Sequence, residues 1–222
     1  LREGNMIRRF VITIFLAAIG GALLFAAAQA QRAKPKPASP PQIFTFDATA
    51  SEINIILTQE GLMRRRYPTH RVLAKSFTGK IELPKDEAKM AVVVEADAKL
   101  LTNMDTAMSD FERKEFHTNL RGPILETDKF PTIKFTSVSL DSLQKSGDKR
   151  SFTINGDLTL HGVTRRVAFP VNATLSEKEL RTTGEAKLKQ TDFGIKLFEK
   201  GMGLIKVGDE LKISFSIIAK TQ

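Results

Sequence analysis

The sequence predicts an all-β, antiparallel domain of about eight or nine long strands, closed as a barrel or stacked as a sandwich, with one short helix. Three observations carry this. Leu158 and Leu160 share one face of a strand, and Val163, Val167, Phe169 and Val171 share one face of the next, with His161-Gly162 between them as a tight turn. A period of two broken by a Gly-containing pair is a hairpin signal. Met90, Val92, Val94, Ala96, Ala98 and Leu100 alternate with mostly polar neighbours, as a half-buried strand requires. Leu211, Ile213, Phe215 and Ile217 repeat the pattern near the C-terminus.

The remaining elements follow in order. Ile43–Asp47 opens the domain, and Ile53, Ile55 and Leu57 alternate in the next strand. From Val72 to Leu83, Leu73, Phe77, Ile81 and Leu83 share a face, with Gly79 expected as a bulge or bend. Ser109-Asp-Phe-Glu112 fits a capping box. With Met104, Met108, Phe111 and Glu115 at helical spacing, it predicts a helix near 106–117, ended before Gly122-Pro123. Ile133 and Phe135 lie in one phase of the following strand, Val138 and Leu140 in the other, so a bulge or corner is expected between them. Phe152–Leu160 and Val163–Leu175 form the hairpin. Leu180, Thr182, Gly184, Ala186 and Leu188 alternate after it.

The first 30 residues differ from the rest. A basic Met6-Ile-Arg-Arg9, an apolar run from Phe10 to Ala28 and a small-x-small Ala28-Gln-Ala30 make the layout of a secretory signal peptide, cleaved after Ala30. The rival reading is an uncleaved anchor, since the run approaches the ~20 residues that span a bilayer. Residues 31–41 form a proline-rich tether, and 42–222 form the domain. The expected location is periplasmic or secreted. The absence of cysteine excludes a disulfide framework, a thiol nucleophile and a Cys-ligated metal. The formal charge is +9, and removal of residues 1–30 leaves +7. The single dense cluster, Arg64-Arg65-Arg66, has no aromatic platform beside it, so nucleic acid is not an expected partner.

The inner faces bear on function. An eight-stranded barrel either fills with side chains or holds one small ligand. Val92, Val94, Ala96, Ala98, Gly156, Ala173, Gly184 and Ala186 are medium or small, and there is no tryptophan. Against an open lumen stand Phe135, Phe152, Phe169 and Phe215, which could fill it. No Gly-x-Ser-x-Gly elbow, paired catalytic carboxylates or phosphate loop is present, so no catalytic residue and no cofactor is expected. Gly201-Met-Gly203 reads as a loop over one barrel end. His70, His117 and His161 show no metal-ligand spacing.

Three separated motifs resemble the YceI-like family: Phe130-Pro-Thr-Ile-Lys-Phe-Thr-Ser137, Gly156-Asp-Leu-Thr-Leu-His-Gly-Val-Thr164, and the run Ser51-Glu-Ile, Gly61-Leu, His70-Arg-Val, Gly79-Lys-Ile81. Phe111–Phe116 stands where that family places its short helix. The resemblance covers about residues 42–220. It implies an exported, lipocalin-like eight-stranded barrel that binds an isoprenoid, quinone-like or fatty-amide-like chain in an apolar tunnel. Strand alternation then gives the candidate liners Ile53, Ile55, Val92, Val94, Ile133, Phe135, Leu158, Leu160, Val167, Phe169, Ile213 and Phe215. A one-residue slip would turn all of them outward. His70 is the candidate for the ligand's polar head, with a hydrogen-bonded histidine at a strand start as the plainer alternative. A filled barrel acting as a structural or interaction protein is the alternative function. Peripheral membrane contact and a homodimer are compatible with both.

Overall fold

The computed structural model describes residues 39–65 and 69–221. The expected signal segment, most of the tether and Arg66–Pro68 lie outside the described residues. Twelve strand segments form one antiparallel sheet. Six of them are halves of three bent strands: β1 (Gln42–Phe46) with β2 (Glu52–Glu60), β3 (Thr69–Ala74) with β4 (Phe77–Leu83), and β5 (Ala91–Asp97) with β6 (Leu101–Asn103). The rest are β7 (Thr132–Ser146), β8 (Lys149–Leu160), β9 (Val163–Leu175), β10 (Glu179–Lys189), the short β11 (Glu199–Lys200) and β12 (Ile205–Thr221). Successive strands pair as a meander. The ring closes because β12 meets both halves of the first strand, at Phe46↔Ala219 and at Ile55↔Ile213. The result is a closed eight-stranded antiparallel barrel with one short helix, in which each long strand pairs on both sides over part of its length.

The bends decide which side chains face inward, and the sequence places some of them differently. The expected single face of Leu73, Phe77, Ile81 and Leu83 is broken at Lys75-Ser76. The phase shifts there, so Val72 and Ala74 are buried before the break and Phe77 and Ile81 after it. Gly79 makes no bulge; it stays in register opposite Val94. The ring of Phe46 lies where its Cβ would be, 2.3 Å away. The alternation from Met90 to Leu100 also breaks. A 3-10 turn at Ala98–Leu100, capped by Asp97 Oδ1 accepting from the Lys99 N–H at 2.8 Å, turns Leu101 inward and leaves Leu100 exposed. The phase change in β7 is the expected bulge. Ser137 pairs with Gly156 and Ser139 with Asn155, so Val138 is the extra residue and projects outward.

The β8–β9 hairpin closes at Leu160↔Val163, with His161 (φ 51°) and Gly162 (φ 73°) both left-handed. That is the backbone of a two-residue turn matched to strand twist. The pairing of β9 with β10 stops at Val171↔Gly184, beside Pro170, which has no N–H to give a ladder.

The helix α1 spans Asp110–Asn119, starting later than the spacing suggests. The capping box is complete: Ser109 Oγ accepts from the Glu112 N–H at 3.3 Å and Glu112 Oε2 accepts from the Ser109 N–H at 2.8 Å. Such a cap stabilises by about 1 kcal/mol. The expected packing face through Met104, Met108 and Phe111 is not the one used, since Phe111 is exposed. Phe116 and Leu120 pack on the core instead. A wider turn at Leu120–Ile124, holding Pro123, continues the helix over one barrel end.

Candidate ligand-binding cavity

Inside the barrel lies an apolar cavity of about 230 Å³. It exceeds the roughly 150 Å³ apolar cavity that suffices to bind benzene. Its wall runs from Leu120, Ile124 and Leu125 at the α1 end to Phe152, Leu180 and Met90 towards the other. Among the described residues that line it only Thr182 and Gln190 are polar, and Gln190 Nε2 donates to the Gly208 carbonyl at 2.8 Å. Phe135, Phe169 and Phe215 meet edge to face, with centroids 5.6 and 6.0 Å apart. These rings line the space rather than fill it.

At the end away from α1, Arg150 donates to Glu87 from Nε at 2.6 Å and from its second terminal nitrogen at 3.2 Å, and Lys145 joins at 3.0 Å. The Arg150 hydrogen bond holds the Glu87 carboxyl below the usual carboxylate range despite its partial burial. This pair ties the loop before β5 to the start of β8.

Eleven of the twelve candidate liners stand on the cavity wall: Ile53, Ile55, Val92, Val94, Ile133, Phe135, Leu158, Leu160, Phe169, Ile213 and Phe215. Val167 faces inward and is buried, yet it is not on the wall. It sits opposite Gly156, and the Phe135 ring lies on that glycine. The small inward residues also divide. Val92, Val94 and Ala96 line the cavity, whereas Gly156 and Gly184 lie beneath the rings of Phe135 and Phe215.

Other liners, such as Leu57, Ile154, Val171, Leu211 and Ile217, continue the same alternations and were legible from parity. Leu101 is hidden by the break after β5. Leu120, Ile124, Leu125, Gln190 and Ile195 come from non-strand segments, where period two gives no signal.

His70 is not on the wall. It is buried at the α1 end, with its ring 5.4 Å from that of Phe116. Its Nδ1 lies 2.6 Å from Asp105 Oδ2, so the side chain belongs to a polar clasp that fastens α1 to the sheet. Asp105 also accepts from the Arg71 N–H at 3.0 Å and from Asn103 Nδ2 at 3.0 Å. Burial works against the Asp105 charge, but these bonds outweigh it and hold its pKa below the usual value. Arg113 on α1 donates to the carbonyls of Asn103, Asp105 and Met108. Among the described residues no group of three or more metal-ligating side chains is gathered. His161 is likewise structural: Nε2 lies 3.1 Å from Glu126 Oε2, and the ring packs on Phe130.

The clasp makes stability depend on pH. His117 Nε2 accepts from the Asn103 N–H at 3.1 Å, which requires an unprotonated nitrogen. Burial, with Arg121 and Arg113 nearby, pushes its pKa below the ordinary 6.5. Below pH 6.5 the unfolded chain takes up a proton that the folded one resists, so this stabilisation is lost as pH falls through the folded value. Thermal melts between pH 7 and pH 5 should show a steeper loss in the wild type than in His117→Gln, whose amide oxygen can still accept from Asn103. Equal slopes would remove His117 from the acid response.

The sequence profile of the YceI-like domain matches residues 44–219. UPF0312 proteins of Pseudomonas savastanoi pv. phaseolicola and Pseudomonas syringae pv. syringae are each 29% identical over 149 residues, 64% of this chain and 69% of theirs. BcnA of Burkholderia cenocepacia shares the fold with a TM-score of 0.61 at 18% identity, over 78% of this chain and 98% of that one. A polyisoprenoid binding domain from Saccharophagus degradans superposes with a TM-score of 0.59 at 15% identity, over 81% and 98%. Profile, relatives and barrel agree, and the chain belongs to the YceI-like family.

Proposed function

We propose that the protein is an exported carrier that holds a long apolar or amphiphilic molecule, of the polyisoprenoid, quinone-like or fatty-amide-like class, in its barrel. One observation carries the reading: a cavity of about 230 Å³ whose wall, among the described residues, is apolar but for Thr182 and Gln190. Moving a hydrocarbon chain from water into such a space gains ~25 cal/mol for each Å² of apolar surface buried, with almost no polar contact needed. Gln190 commits its amide nitrogen to Gly208, which leaves its carbonyl oxygen to accept from a ligand's polar end. The polyisoprenoid binding domain from Saccharophagus degradans supports the ligand class. The basic, apolar and A-x-A pattern of residues 1–30 supports export. Among the described residues the wall brings no nucleophile, base and orienting group together, which supports a carrier over an enzyme.

Native mass spectrometry of protein purified from an exporting host without detergent tests this. A stoichiometric adduct that is released by organic extraction as an apolar chain is the expected result. A bare mass, with no uptake of added isoprenoid or fatty amide, would move the function to the outer surface.

A further inference from the structure

We propose that the barrel end bearing α1 docks on an anionic lipid bilayer, with Leu62, Met202 and Leu204 inserted, Phe111 at the rim, and Arg64 and Arg65 on the headgroups. The inference goes beyond the carrier reading and rests on surface features alone.

Seven large apolar side chains are exposed among the described residues, and four of them lie on three segments at this end. Met202 is 101% exposed, Leu62 79%, Phe111 76% and Leu204 46%. The segments are held together. Gly61, at the head of the 3-10 turn Leu62–Arg65, lies so close to the β11–β12 turn that a Cβ there would stand 2.6 Å from the Gly203 carbonyl oxygen. Lys200 of β11 hydrogen-bonds Glu115 of α1. Phe111 stands one helical turn before Glu115, on the same face.

The β11–β12 turn is built to present its apolar tip. Gly201, Met202 and Gly203 are all left-handed, with φ of 67°, 51° and 84°. A non-glycine residue in that region is held at a cost. Here the backbone holds a long apolar side chain wholly in water. Burial would recover the free energy that this exposure forgoes.

The charge beside the tip selects the partner. Arg64 and Arg65 are exposed next to Leu62 and make no ion pair among the described residues. The nearby carboxylates of Glu60 and Glu115 are engaged by Lys206 and Lys200. Asp110 and Glu199 lie in sequence beside Phe111 and in β11, and Glu112 is held in the α1 cap by Ser109, so the anion-attracting side is the Arg64-Arg65 turn. Protruding apolar tips next to arginines that make no ion pair among the described residues suit an interface of acyl chains and anionic headgroups. Docking at this end would also bring Leu120 and Ile124 of the cavity wall towards the lipid.

The chain contains no tryptophan, so an indole introduced by Met202→Trp reports on this turn alone. With phosphatidylcholine vesicles containing about a third phosphatidylglycerol, its emission should shift to the blue and be quenched by brominated acyl chains. Reversal of both arginines, Arg64→Glu with Arg65→Glu, should weaken that response by roughly tenfold or more. Val138→Trp, on the outer wall of β7, should show neither shift nor quenching. Because the readout follows one side chain, attachment of the chain elsewhere cannot produce it. An unshifted Met202→Trp would overturn the proposal and leave the turn for a protein partner. An equal shift on neutral vesicles, or in the charge-reversed variant, would overturn it too. Ligand retained in the cavity, measured on the same samples by native mass spectrometry, separates failure of docking from failure of the carrier reading.

Discussion

Val94→Trp should abolish ligand uptake while the barrel stays folded. Val94 stands on the cavity wall, paired across β5 with Gly79 on one side and Phe135 on the other. A tryptophan ring carries roughly 150–250 Å² of surface that it buries when it can. The space it would enter is about 230 Å³, so the ring competes for the volume a chain would occupy. Insertion into a filled core costs roughly 1–3 kcal/mol. Insertion into an open cavity should cost less, because the ring gains contacts that valine lacks. Its N–H is the remaining cost, and Val94→Phe removes it. Both variants should keep the wild-type circular dichroism and lose most of the stoichiometric adduct. A folded variant that retains the full adduct would place the ligand elsewhere.

How far the cavity was legible in the sequence depends on where strands keep their phase. Within an unbroken strand, burial of one face imposes a period of two, so Leu158 and Leu160, or Ile213 and Phe215, announce the inner face directly. Phase is lost at breaks that backbone geometry sets. The turn at Ala98–Leu100 exchanges Leu100 for Leu101, and the break at Lys75-Ser76 exchanges Leu73 for Val72. The bulge at Val138 was visible because apolar residues flank it in opposite phases. The lid over the α1 end was not visible. Leu120, Ile124 and Ile195 reach the cavity from segments whose placement depends on tertiary contacts, including the Asp105 clasp. His70 shows the same limit from the other side: a histidine before a strand gives no sign of its partner 35 residues away.

Small residues mislead in a related way, and they lead to the second large effect. A glycine on an inner face suggests open space, yet Gly156 is covered. An added Cβ would stand 2.4 Å from the Phe135 ring and 2.6 Å from the Thr136 carbonyl oxygen. The ring could swing, but it packs edge to face on Phe169, and its free side is the cavity. The carbonyl lies in the backbone of β7, where Thr136 pairs with Asp157 and Ser137 with Gly156, so it can move only by disturbing the ladder. Gly156→Ala should therefore destabilise by about 3 kcal/mol, a fall in melting temperature of roughly 6–12 °C for a domain of this size. It should also reduce ligand capacity, because a displaced Phe135 enters the lumen. Gly147→Ala is the control. Gly147 has φ of 59° at the β7–β8 turn and nothing within 4 Å of a Cβ, so only backbone strain opposes the change. That costs about 1 kcal/mol. Thermal melts and native mass spectra of the two variants separate the effects: equal losses would mean that backbone conformation, not the ring over Gly156, sets the demand for glycine there. A large loss confined to Gly156→Ala would mean that Phe135 holds barrel and cavity in shape together, with the glycine as its seat.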